Sequence, residues 1–129
     1  EKMTADTAIE RFDALFPNAL SYGEKLNMLS VLDGRIYKEI LSRYEGAPTE
    51  FIGYAEGIPG STVLLVRYPY DEIYIKYLAA ETDIINGDTA RYANSRAAFN
   101  NLYEEFAAAY NRTHRIKSRV GIKFGRGVG

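Results

Sequence analysis

Few residues in this chain are equipped for chemistry, and most of them sit in two short runs. Its one histidine, His114, lies between Arg112 and Arg115. A general base needs a neighbour that orients it and holds its proton, and two cations supply neither. His114 therefore reads as an exposed residue at a helix end. The acidic run ETDIINGD offers Glu81, Asp83 and Asp88. Calcium loops set oxygen ligands at alternate positions and close on a distant Glu, a spacing this run lacks. Asp88 is better explained as a helix cap, and Glu81 and Asp83 as a solvated helix face. With no cysteine there is no thiolate nucleophile, disulfide or cysteine-ligated zinc. No GxGxxG, P-loop, HExxH or GxSxG pattern occurs, and the glycines of GIPGS stand outside any strand-to-helix phosphate turn. The expectation is a protein without catalytic residues, metal or cofactor. A small enzyme would need an unsuspected tyrosine-based site.

What remains is binding, and the charge distribution points to where. Residues 1–111 hold 17 acids and 10 bases, a balance of −7, whereas residues 112–129 hold six bases and no acid, a balance of +6. An acidic body thus carries a basic arm. A solvated, unstructured terminus is the plain reading of such a run. Within RVGIKFG, however, Val120, Ile122 and Phe124 alternate with Arg119, Gly121 and Lys123, the period of a strand with one apolar face. That pattern suits β-augmentation, in which an extended segment adds itself to a partner's sheet. Burying Val, Ile and Phe contributes roughly 5–8 kcal/mol gross. Ordering the backbone of residues 119–124 costs about 1–2 kcal/mol per residue. A single arm would bind weakly and several together well, which favours a symmetric assembly. DNA is the competing partner, since the same cations could contact phosphates. No helix-turn-helix or zinc motif accompanies them, and the acidic body would repel a duplex.

These segments must be carried by a body, and its apolar spacing reads mainly as helix. A first helix starts near Thr4 or Asp6 and ends at about Phe16, before Pro17, with Ile9, Phe12, Leu15 and Phe16 at helical spacing. Ser21 and Glu24 form a capping-box pair. A stripe of Leu26, Leu29, Leu32, Ile36, Ile40 and Tyr44 then predicts a second helix over about 24 residues, with Gly34 marking close approach of another helix. Residues 50–67 change character. Two β-type runs, 51–54 and 62–67, flank the loop AEGIPGS and predict a small hairpin. A third helix starts around Pro69 to Asp71 and carries Ile73, Tyr74, Tyr77, Leu78, Ile84 and Ile85. A fourth starts at Asp88 or Thr89 and continues to about Tyr110, with Gly87 and Asp88 making a short antiparallel link. The expected fold is mainly α: a bundle of about four helices over residues 1–111, a β-hairpin insertion, and an extended C-terminal arm over 112–129.

Eleven tyrosines and six phenylalanines, with no tryptophan, distinguish the composition. Phe99, Tyr103, Phe106 and Tyr110 make one seam, beside small residues that permit close helix approach. Such a seam reads first as core. Tyrosine is also enriched at interfaces, which makes Tyr70, Tyr74, Tyr77, Tyr103 and Tyr110 the candidate rings for contact between subunits. No apolar run approaches a membrane span, and EKMTADTAIERF has no apolar signal-peptide centre, so cytosolic synthesis without a membrane is expected.

The stretch YPYDEIYIKYLAAETDIINGDTARYANSRAAFNNLYEEFAAAYNRTH, over residues 68–114, resembles small structural proteins of tailed phages and prophages of Gram-positive hosts, of the head–tail connector (adaptor, head-completion) type. LSVLDGRIYKEI at 29–40 and FIGY at 51–54 are similar to it as well. The resemblance implies a helical subunit that assembles with itself as a ring, usually twelvefold, beneath the portal protein in the virion neck, after assembly in the host cytoplasm. It implies that the ring extends the DNA channel, with DNA passing through without sequence-specific binding. It also implies that the C-terminal segment docks on the portal, here Arg115, Lys117, Arg119, Val120, Ile122, Lys123 and Phe124. The loop of Glu56, Gly57, Ile58, Pro59 and Gly60 would face the next neck component, a stopper or tail-completion protein. From the residues alone, a nucleic-acid-binding accessory protein using its basic arm stays open beside this reading.

Overall fold

A computed structural model describes residues 2–117, and the expected portal-docking residues Arg119, Val120, Ile122, Lys123 and Phe124 lie outside them. Four α-helices form: α1 (Ala5–Leu15), α2 (Tyr22–Glu39), α3 (Ile73–Ile85) and α4 (Thr89–Thr113). Thr4 caps α1, its hydroxyl accepting from the Thr7 N–H at 3.1 Å. Asn18 shapes the turn after Pro17 by donating to Asp13 and accepting from the Leu20 N–H. Across this turn the buried Lys25 ammonium reaches Asp13 at 2.6 Å, and its hydrogen bond holds the Asp13 carboxyl below the usual carboxylate range. Ser21 and Glu24 complete the expected capping box.

The middle of the bundle is α3, on which α1, α2 and α4 all pack. It is buried on nearly all sides, from Ile73 through Ala80 apart from the half-buried Lys76, so its sequence is apolar all round where a surface helix would show a stripe. The link to α4 is the expected one. Gly87 takes a left-handed φ of +74°, and Asp88 caps α4 by accepting from the Arg91 N–H at 3.1 Å. Along α4 only Phe99 and Phe106 are fully buried. Phe99 meets Tyr77 at 5.2 Å between ring centroids, and Phe106 meets Tyr70 at 5.9 Å.

Two expectations are corrected. The second helix does not run through to Tyr44: α2 stops at Glu39 and tightens into a 3-10 turn at Leu41–Arg43. Residues three apart eclipse in that geometry, which lets Leu41 and Tyr44 both enter the core. Nor does the hairpin form. Among the described residues there is no strand, only isolated bridges. Residues 62–64 run against the N-terminal chain instead of against 51–54. Thr4 bridges Val63, the Ala5 N–H donates to the Thr62 carbonyl at 3.0 Å, and the Leu64 N–H donates to the Met3 carbonyl at 2.9 Å. Residues 51–54 are unavailable because Gly53 turns at φ +90° and the Tyr54 N–H is taken by the Ser30 hydroxyl on α2. Nor does another helix crowd Gly34: a β-carbon placed there would meet only the Phe51 ring, at an ordinary contact distance.

This packing predicts where truncation hurts. Phe99→Ala should lower the unfolding free energy by about 3–5 kcal/mol in urea titration. Ile84→Ser, at a half-exposed position of α3, should change it by less than about 0.5 kcal/mol.

Candidate functional site

A single carboxylate positions the irregular part of the chain. Asp33, on α2, is completely buried. Its Oδ2 accepts from the Tyr54 hydroxyl at 2.5 Å and from the Leu65 N–H at 3.0 Å, and its Oδ1 accepts from the Tyr74 hydroxyl at 2.7 Å. Tyr74 is itself buried, and its oxygen accepts from the Val66 N–H at 2.7 Å. Residues 54, 65 and 66 are thereby tied to α2 and α3. Burial pushes the Asp33 carboxyl up to about 6, while the three donated hydrogen bonds pull it down. It is ionised at neutral pH, the state in which all three donors are satisfied. Burial and the Asp33 charge raise both phenols above their ordinary range.

The segment held this way forms one wall of a groove of about 690 Å³ at the C-terminal end of α4. Leu41, Leu64 and Phe106 make its buried floor, and Val63 and Tyr68 stand exposed at its side. Arg67, Arg112 and His114 complete the lining, and no acidic residue is among it. Tyr110 is fixed between neighbours. Its ring stacks on His114 at 3.6 Å and meets the edge of Tyr44 at 5.2 Å. His114 Nδ1 lies 2.9 Å from the Thr113 hydroxyl and 3.2 Å from the Tyr110 carbonyl, so the ring finishes the helix end.

The residues singled out from sequence scatter over this frame. Arg115 and Lys117 flank Ile116, which bridges Tyr44. The Arg115 carbonyl accepts from the Glu45 N–H at 2.8 Å, and the Lys117 N–H donates to the Arg43 carbonyl at 2.9 Å. The start of the basic segment is thus backbone-paired to the end of the 3-10 turn. In the loop, Gly60 is pinned to the start of α1 through the Asp6 N–H, and Ile58 packs on the core, while Glu56, Gly57 and Pro59 are exposed. Among the candidate interface rings a correction is needed. Tyr74 and Tyr77 are buried within the chain's own core and leave little or no ring surface for contact with a neighbour. Tyr70, Tyr103 and Tyr110 are half-buried against the core. Tyr103 donates to Glu39 on α2, and its phenol is pushed up to about 12, chiefly by burial.

In the acidic run, Asp88 caps α4, and Asp83 is buried rather than solvated. Asp83 accepts from the Ser95 hydroxyl and lies 3.8 Å from Arg91. Among the described residues no group of three or more His, Asp or Glu side chains gathers, and no helix is long and apolar enough to cross a membrane. Sequence reading passed over Asp33 and the groove. A signal for Asp33 was present: it lies four residues after Leu29 and three before Ile36, in phase with the buried stripe. The groove had no such signal, since irregular backbone builds half of it. The chain matches no family model, no curated protein and no solved structure.

The Asp33 environment gives a prediction with a definite sign. A carboxyl raised from 3.8 to about 6 by folding contributes stability that is fully present below pH 3.8 and is lost as pH rises through 6. Relative to Asp33→Asn, which cannot ionise, the native chain should lose about 2–3 kcal/mol of unfolding free energy between pH 4 and pH 7. Urea titrations of both proteins across that range measure the difference in slope, whatever constant offset Asn introduces.

Proposed function

We propose that this protein is a non-enzymatic structural subunit of a tailed-phage or prophage neck, a head–tail connector. It assembles with itself as a ring under the portal protein and extends the DNA channel toward a stopper or tail-completion protein. The observation that carries the reading is the resemblance over residues 68–114, the stretch that folds as the end of the irregular segment and the α3–α4 hairpin. The charge distribution supports it. A body with 17 acids and 10 bases over residues 1–111 suits a channel through which DNA slides without sticking, and residues 112–129 carry six bases without an acid. In this reading the basic segment, with the apolar alternation of Val120, Ile122 and Phe124, docks on the portal. The exposed residues of the loop, Glu56, Gly57 and Pro59, face the next neck component. The site of action is the virion neck, after assembly in the host cytoplasm.

A second reading, a nucleic-acid-binding accessory protein, is favoured by one observation. Arg43 and Lys117 are paired through their backbones, and Arg67 and Arg112 line one groove, so cations from several elements meet at one end of the body.

Sedimentation with the portal ring of the same phage separates the two. Because residues 115–117 are paired to Tyr44 and its neighbours, the informative truncation falls after Lys117 and leaves that pairing intact. The full chain should co-sediment, and both the truncation and the Ile122→Ser, Phe124→Ser double variant should abolish it. No association by the full chain, with salt-sensitive duplex binding that survives the double variant, would transfer the assignment to the second reading.

A further inference from the structure

The groove at the C-terminal end of α4 has no part in the connector assignment above, and its chemistry is specific enough to name an occupant. Its volume of about 690 Å³ is that of sites which enclose a small molecule or a few side chains. Its floor is aliphatic and aromatic, from Leu41, Leu64 and Phe106. At its side Tyr68 is 72% exposed, a large ring that the described residues leave mostly open. The charged residues that line it, Arg67 and Arg112, are of one sign. An apolar floor under a cationic rim calls for a ligand that is apolar along one side and anionic along the other.

The chain's own unassigned segment does not fit that description. Residues 118–129 carry Arg119, Lys123 and Arg126 and no acid, so placing them in the groove would set like charges together. Single-stranded nucleic acid fits the rim but not the interior. Tyr110 has one face stacked on His114 and meets the rings of Tyr44 and Phe106, and Tyr70 leans on Phe106. That leaves Tyr68 as the open ring among the described lining residues, and a single ring makes no platform for successive bases. An aliphatic floor also offers no partners to the polar edges of a base.

We propose that the groove is a docking site for an extended acidic–apolar segment of a partner protein. Leucine- or phenylalanine-type side chains of that segment enter over Leu41, Leu64 and Phe106, and its carboxylates face Arg67 and Arg112. The open Tyr68 ring closes over the segment as an aromatic anchor. This inference does not depend on the connector reading. It gives the molecule a second cationic contact beside the basic segment, with the same preference for acidic partners.

The test uses the full chain and two pools of synthetic ten-residue peptides. In one pool Leu or Phe alternates with Asp or Glu; in the other the acids are replaced by Lys. Fluorescence anisotropy near physiological salt should show saturable binding of the acidic pool and none of the basic pool. The double variant Arg67→Glu, Arg112→Glu alters exposed side chains and should retain the native melting temperature. It should lose affinity for the acidic pool by about tenfold or more and gain affinity for the basic pool. Should that variant fail to fold, Tyr68→Ser replaces it and should weaken the acidic pool by a similar factor. Absence of acidic-pool binding, equal binding of both pools, or indifference to these substitutions overturns the proposal. So does binding of a single-stranded oligonucleotide that requires Arg67 and Arg112 while the peptides fail. Binding of the acidic pool only after truncation at Lys117 would show the groove filled by the chain's own segment, which overturns it equally.

Discussion

A buried carboxylate is tolerated only where donors converge on it, and Asp33 turns that requirement into tertiary structure. Removing a carboxylate from water costs several kcal/mol, and each hydrogen bond to a charged acceptor returns about 1.5–3 kcal/mol. Three such bonds reach Asp33, from Tyr54, Tyr74 and the Leu65 N–H. They offset burial only in part, as the upward shift of its titration to about 6 records. The carboxylate is therefore not a source of great stability. What it supplies is constraint: donors from residues 54, 65 and 74 must converge on one point beside α2, and Tyr74 in turn holds the Val66 N–H.

That constraint explains how a stretch without strands behaves as a fixed part of the molecule. Residues 46–69 have no regular ladder, so their backbone groups need partners elsewhere. They find them one at a time. Ser30 takes the Tyr54 N–H, Asp33 the Leu65 N–H, Tyr74 the Val66 N–H, and the Met3 carbonyl the Leu64 N–H. Leu64 and Val66 are delivered into the core, and Val63, Arg67 and Tyr68 are left at the surface. The same alternation that would have made a strand is used to place one wall of a groove.

The helices were legible because each is announced by local signals. Thr4, the Ser21–Glu24 pair and the Gly87–Asp88 link mark their ends by chemistry that acts within a turn. The failures lie where distant residues decide. The run FIGY has β-type composition, yet Gly53 takes a positive φ and Ser30 captures the next amide, so the segment turns towards α2. The apolar stripe continued to Tyr44 with helical spacing, yet packing of Leu41 and Tyr44 favours a tighter turn. Asp33 was visible as an acid in phase with Leu29 and Ile36. Its partners, some twenty to forty residues away in sequence, were not. Tyrosine composition misled in a similar way: a ring such as Tyr74 can be needed inside for its hydroxyl, a role indistinguishable in sequence from one at an interface.

The two ends of the charge distribution impose a division of labour. Backbone pairing of Arg115 and Lys117 to Glu45 and Arg43 fixes the root of the basic segment beside the groove. That root lies next to a cavity whose rim, from Arg67 and Arg112, is also cationic. Like charges at this range repel, and at physiological ionic strength the repulsion reaches about 8 Å, far enough to act between neighbouring surfaces. A groove with that rim favours an occupant of the opposite sign. Asp33 contributes to that groove because, with Ser30, Tyr74 and the Met3 carbonyl, it holds the wall built by residues 54–66.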